Sequence, residues 1–165
     1  MYSTTLYIKF ILDLEIINID KNTSDTDIKE CVDLLLTQMT FIGSPSTIEK
    51  VEQGLRLAID HPEMTKVFAA KNAGGEIVGI LLGNKGTSME KFGYYLWINE
   101  LHVKETERKK GIGTSLLNHV FNWCKSEGIR GITLAVAIDN EIAKKLYHKH
   151  GFDSEPVVMY NKFLK

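Results

Sequence analysis

"ERKKGIGTSLLNHVFNWCKSEG", residues 107–128, sets a knot of positive charge ahead of two glycines and then runs into apolar positions at helical spacing. A helix start leaves about four backbone N–H groups without intrahelical partners, and the macrodipole adds roughly half a positive charge there. Phosphate oxygens answer both. Gly111 and Gly113 remove side chains that would keep a bulky anion off the backbone, and they permit turn geometry closed to other residues. Arg108, Lys109 and Lys110 add charge at the same spot. The segment reads as a turn for a phosphate-bearing ligand. The plainer alternative is a surface turn with a solvated basic run.

Working outward, "YYLWINELHV" (94–103) reads as a strand before the turn. "GITLAVAI" (131–138) follows it as a nearly all-apolar run, expected to be a strand buried on both faces. The glycine turn therefore joins strand to helix inside a parallel β-α-β unit. Such turns lie at the carboxyl ends of strands, where open α/β sheets bind their ligands. That position favours the ligand reading.

Upstream, "LEIINI" (14–19) reads as a first strand, and Ser24 or Asp25 can cap a helix through "DIKECVDLLLTQM". "FIGSPS" breaks it, and a second helix runs from about Thr47 to His61-Pro62, where the proline forbids continuation. Two apolar runs flanking "NAGG" predict a hairpin. Downstream, a helix from Asn140 to His150 stops at Gly151, and "EPVVMYNKFLK" reads as a closing strand. The fold class is α/β: a mixed, mostly antiparallel central sheet flanked by helices on both faces, with one parallel β-α-β unit.

At 165 residues the chain fits one domain, with a core from about residue 14 and residues 1–13 as an N-terminal extension. Formal net charge is -1, so nothing global calls for nucleic acid or an acidic membrane, and any anion must be held locally. Cys31 and Cys124 make no CxxC pair, so neither a metal site nor a redox motif is expected. Lys9, Asp13 and Glu15 interrupt the apolar N-terminus, and no stretch reaches the ~20 apolar residues of a membrane span. The expectation is a cytoplasmic protein, with no membrane and no nucleic-acid partner.

Two familiar phosphate loops fail. A dinucleotide fingerprint wants a glycine where Leu116 stands, and a P-loop wants its lysine after the glycines rather than before. The pattern present is R-x-x-G-x-G, Arg108 to Gly113, with "NELHV" before it. After it comes N-x-x-A-x-x-L-Y-x-x-x-G-F: Asn140, Ala143, Leu146, Tyr147, Gly151 and Phe152. With both motifs separated by one strand, the chain resembles the GNAT acyltransferases from Leu14 onward.

The resemblance implies acetyl-coenzyme A as co-substrate, with its pyrophosphate on Arg108, Lys109, Lys110, Gly111, Ile112, Gly113 and Thr114. It implies that the backbone of Leu101, His102 and Val103 pairs with the pantetheine arm. The two parallel strands would splay to open that slot, often helped by a bulge in the first. Asn140 and Tyr147 stand two helical turns apart with the small Ala143 between them, a face suited to a ligand lying along the helix. Asn140 as an ordinary N-cap and Tyr147 as a half-buried aromatic are the alternatives.

By the resemblance, a neutral amine attacks the thioester directly in a ternary complex, Tyr147 serves as general acid, and an N–H near Leu101 or His102 meets the developing oxyanion. Glu100 is the first candidate for the base that takes the amine proton; a strand-edge carboxylate that only attracts a cation is the alternative. His102 ranks second. The acceptor groove is expected between "TFIGSPS", "GTSMEKFGYY" and the last hairpin, with Phe41, Phe92, Tyr94 and Trp97 as lining and Glu90 and Glu100 as attractors. Polyamines, aminoglycosides, amino acids and protein N-termini all stay open as acceptors, and a homodimer is compatible with the family. The rival readings are a coenzyme A sensor or scaffold without turnover, and an unrelated nucleotide binder.

Overall fold

The computed structural model describes residues 13–164, so the expected N-terminal extension lies outside the described residues apart from Asp13. Strand β1 (Glu15–Asn18) leads to helix α1 (Asp25–Phe41), whose first turn is capped by the Ser24 hydroxyl accepting from the Asp27 N–H at 3.1 Å. Helix α2 (Ile48–Asp60) starts the same way, with Thr47 accepting from the Lys50 N–H. Strands β2 (Thr65–Lys71) and β3 (Ile77–Ser88) form the hairpin, and Gly75 takes the left-handed φ of 82° that its turn needs. Strand β4 (Gly93–Val103) is followed by a 3-10 turn (Glu105–Glu107), helix α3 (Ile112–Ser126), strand β5 (Gly131–Leu134) and helix α4 (Glu141–Lys149).

The described residues fall into two compact units, one ending at Ala135 and one beginning at Val136. In the first, five strands make one sheet in the order β1-β2-β3-β4-β5, antiparallel except for the parallel β4–β5 pair. Helices cover both faces. α1 and α2 bury Ile28, Val32, Leu35, Leu55 and Ile59 against Val67, Ala69 and Ile80. On the other face α3 sets Ile112, Leu116, Leu117 and Val120, and Phe68 meets the rings of His119 and Trp123 edge-on.

Strand alternation is broken once, and the break positions the site. Leu82 lies opposite Glu100 but Gly83 lies opposite Ile98, so Asn99 is an extra residue in β4. Ahead of the bulge, Leu96 and Ile98 share the α3 face with Gly83. Beyond it, Glu100 and His102 lie opposite Leu82 and Ile80 and so face α1, while Leu101 and Val103 turn toward α3. The β4–β5 ladder covers Tyr95 to Ile98 and stops there, at the bulge, while β4 continues to Val103 on its β3 side.

Two expectations need correction. The strand expected over 131–138 is only Gly131–Leu134, half-buried rather than buried on both faces, because it is the edge of the sheet with β4 as its one neighbour, and its pairing ends at Ile98, where the bulge begins. The tail expected as a closing strand carries no strand among the described residues: Val157, Val158, Tyr160 and Phe163 are exposed, and no ladder includes them. Strand propensity becomes a strand only where a neighbour supplies hydrogen bonds and packing.

The second unit holds α4. Asn140 caps it through a 3.1 Å bond from the Ala143 N–H to its Oδ1, and Gly151 (φ 79°) follows its end. The Tyr147 and Phe152 rings pack edge-on at 5.5 Å.

Candidate active site

The glycine turn forms as its sequence demands. Gly111 is the N-cap of α3 with φ 86°, conferring no side-chain cap, so the first turn of the helix presents its N–H groups past a residue without a Cβ. Lys109 also adopts a positive φ, 61°, an uncommon state for a residue with a side chain. Arg108 donates from Nε to the Val103 carbonyl at 3.2 Å, which ties the turn to the end of β4. Lys110 pairs with Glu107 at 2.9 Å, and Lys104 pairs with Glu76 on the hairpin. Gly79 lets the helix come close: a Cβ there would lie 2.9 Å from Ile112 and 3.1 Å from Leu116.

On the other face of β4, Glu100 and His102 meet a residue the sequence reading passed over. Gln38 of α1 accepts at Oε1 from His102 Nδ1–H at 2.8 Å, and its amide acts on Glu100 by favouring the charged carboxylate. Burial pushes the Glu100 carboxyl above the usual carboxylate range, and the Gln38 amide opposes the shift. Burial, with the Arg108 guanidinium second, holds His102 below the usual imidazole range. His102 is thus a neutral, 5% exposed ring, and Glu100 is a carboxylate made more basic by its surroundings. A signal for Gln38 was present: it continues the inward stripe of Leu34 and Leu35 on α1 as its one amide.

Glu100 and Asn99 also border a cavity of about 760 Å³ between α1, α2 and the ends of β2 and β3. Its lining is mostly apolar and includes Leu35, Met39, Val51, Leu57, Ala58, Met64 and Leu82, with Gly54 of α2 in the wall. The aromatic lining expected from the sequence is not there. Phe41, Phe92 and Tyr94 are exposed, and none of these three nor Trp97 borders the cavity. Phe41 ends α1, Phe92 lies in the turn before β4, and Tyr94 and Trp97 stand in the first half of β4, ahead of the bulge. Glu90 is also elsewhere, 3.7 Å from Lys91; of the two expected attractors only Glu100 borders the cavity.

Within the first unit, then, Glu100, Leu101, His102 and Val103 run in one strand to the Arg108–Thr114 turn, with Gln38, Gly79 and Asn99 as residues the sequence reading did not single out. Asn140, Ala143 and Tyr147 belong to the second unit, where Asn140 acts as the N-cap and Tyr147 is half-buried beside Phe152. Both cysteines are buried thiols, pushed by burial up to about 12 for Cys31 and about 11 for Cys124, so neither is a thiolate nucleophile at neutral pH. Among the described residues no helix is long and apolar enough to cross a membrane.

A family model described as the acetyltransferase (GNAT) family matches residues 28–152. N-alpha-acetyltransferase 50 of Danio rerio is 44% identical over 59 residues, which is 35% of this chain and 35% of that protein. The chain's match spans 35% and 27% of the length of two curated relatives. Among solved structures, a protein of Clostridium difficile 630 described as a possible acetyltransferase superposes with a TM-score of 0.77 at 21% identity, covering 92% of this chain and 98% of that one. AAC(6')-Iy, solved with the bisubstrate analog CoA-S-monomethyl-acetylneamine, gives a TM-score of 0.73 at 18% identity, covering 92% and 99%. At these identities the structural likeness is one of fold.

Proposed function

Because the chain belongs to the acetyltransferase (GNAT) family, we propose that it moves the acetyl group of acetyl-coenzyme A onto a primary amine by direct attack within a ternary complex. The observation that carries the reading is the end of the β4–β5 ladder at the Asn99 bulge, with β4 running on from there to the uncapped glycine turn. One strand thus offers an edge to a linear arm and leads to a cradle for a diphosphate. The family match spans both compact units, which fits one catalytic domain.

Acetyl-coenzyme A supplies the acetyl group as an activated thioester. The turn Arg108–Thr114 holds the diphosphate through backbone N–H groups and the basic side chains, and Gly111 keeps the approach open. The backbone of Leu101, His102 and Val103 takes the arm as a neighbouring strand, and the family's second motif assigns Asn140 and Ala143 to coenzyme A as well. Glu100 accepts the proton of the incoming ammonium, directly or through water; its raised proton affinity narrows the gap to the amine. The N–H of Leu101 or His102 donates to the carbonyl oxygen under attack. Tyr147 delivers a proton from its hydroxyl to the departing sulfur.

Calorimetric titration with acetyl-coenzyme A tests the reading, comparing wild type with Gly111→Glu, which obstructs the turn and adds the wrong charge. Micromolar binding to wild type that a folded variant loses supports the site, and thiol release with an amine supports turnover. Binding without turnover on any amine would instead favour a coenzyme A sensor. Absence of binding to wild type would sink the acetyl-donor assignment.

A further inference from the structure

The cavity beside Glu100 carries information about the acceptor that neither the motifs nor the fold supply. At about 760 Å³ it lies within the range of roughly 300–1,000 Å³ that small-molecule sites occupy. Of the described residues lining it, Glu100 is the one carboxylate, whereas Lys50 and Lys85 both border it. Lys85 lies opposite Leu96 in the ladder and carries its Nζ to 4.3 Å from the centre of the Tyr94 ring, away from the cavity. Leu57 and Met64, 62% and 59% exposed, are apolar surface left wet at the cavity wall.

From this lining we infer that the acceptor is a single amine carried on an apolar body, aliphatic or aromatic, with no second cationic group. The inference rests on the acetyltransferase reading of the same site. One carboxylate matches one ammonium. A polycation would bring its further charges against apolar walls and Lys50, losing solvation without gaining a partner. An apolar body does the opposite, covering Leu57 and Met64 as its ammonium reaches Glu100. A free small amine and a peptide N-terminus with an apolar first residue share this chemistry.

Gly54 supplies the structural control. It sits inside α2 in the cavity wall, and a Cβ built on it meets nothing within 4 Å. Gly54→Phe therefore fills the cavity without a clash at its base, and Gly54→Ala keeps the cavity while improving helix propensity.

The test is a thiol-release assay with acetyl-coenzyme A and five acceptors: hexylamine, 2-phenylethylamine, a tetrapeptide beginning with leucine, spermidine and kanamycin. Acetyl-coenzyme A binding is measured in parallel by calorimetry. The expected result is a kcat/KM at least about tenfold higher for the apolar amines or the peptide than for the two polycations, in line with what a hydrophobic pocket can discriminate. The relative rates of the amines and the peptide then separate the two sources. Gly54→Phe should raise the acceptor KM about tenfold with acetyl-coenzyme A affinity unchanged, and Gly54→Ala, with a far smaller side chain in the same wall, should raise it less. A preference for spermidine or kanamycin overturns the acceptor inference and leaves acetyl transfer standing. Binding of acetyl-coenzyme A with no member of the panel acetylated also overturns it. Loss of binding itself overturns the acetyltransferase reading instead.

Discussion

Gln38 accepts a 2.8 Å hydrogen bond from His102 Nδ1 while its amide favours the charged form of Glu100, so one helix side chain acts on both polar residues that β4 turns toward α1. The amide lowers the Glu100 proton affinity that burial raises. Gln38→Leu should therefore push the Glu100 carboxyl still higher, and the acidic limb of kcat/KM should move to higher pH. The same variant strands the buried His102 N–H, at a cost of about 1–3 kcal/mol in unfolding free energy. Gln38→Glu separates the effects: it keeps an acceptor for His102 but places an anion beside Glu100, so stability should recover while the limb stays displaced. A pH–rate profile that neither variant moves would remove Gln38 from the site.

Glu100 itself should show activity and stability pulling apart. Its folded proton affinity lies above the ordinary value near 4.5, so the unfolded chain ionises first as pH rises. Above that pH the buried carboxylate costs the native state stability, and below it the cost vanishes. Glu100→Gln should raise Tm at pH 7 and leave it unchanged near pH 3, while kcat falls about 100-fold through loss of the base. Thermal melts at the two pH values, alongside steady-state rates, check both halves.

Gly79 lies opposite Val103 in the neighbouring strand and packs under the start of α3. A valine there would press on Ile112 and Leu116, the first buried positions of α3, at 2.9 and 3.1 Å. Overpacking of this kind costs about 1–3 kcal/mol. The helix start should move off the sheet, and acetyl-coenzyme A affinity should fall together with Tm. Calorimetry on Gly79→Val measures the first and a melt the second; unchanged affinity would show that the turn is held by other contacts.

Tyr147→Phe removes only a hydroxyl and keeps the ring that packs on Phe152 at 5.5 Å. If that hydroxyl protonates the leaving sulfur, kcat should drop by about 100-fold or more with acetyl-coenzyme A affinity nearly unchanged. Binding and single-turnover rates measured on the same preparation distinguish this from a packing role, in which affinity or Tm would fall instead.

Local chemistry made much of this fold readable. Ser24, Thr47 and Asn140 are caps because a short side-chain oxygen can reach the exposed N–H groups ahead, and each helix begins where its cap stands. The glycine turn was readable because Gly111 needs a φ of 86° and a helix start at one residue. The tail was misread because Val157, Val158 and Tyr160 favour strands but carry no information about a neighbour. The bulge did leave a trace. Apolar residues of β4 fall on even numbers at Leu96 and Ile98 and on odd numbers at Leu101 and Val103, and that change of phase across Asn99 keeps all four on one face. Gln38, the cavity and Gly79 depend on contacts between distant segments, and no local pattern states them.

The extra residue at Asn99 works like a frameshift written in space. Removing it would leave every other side chain of the protein in place chemically, yet rotate the remainder of the strand by half a pleat. Glu100 and His102 would swing into the apolar layer under α3, and Leu101 and Val103 would take their places opposite Gln38. A site with all its residues present would then present a greasy wall to its acceptor and an unpaired carboxylate to the core. The identity of Asn99 matters less than its being there to be counted.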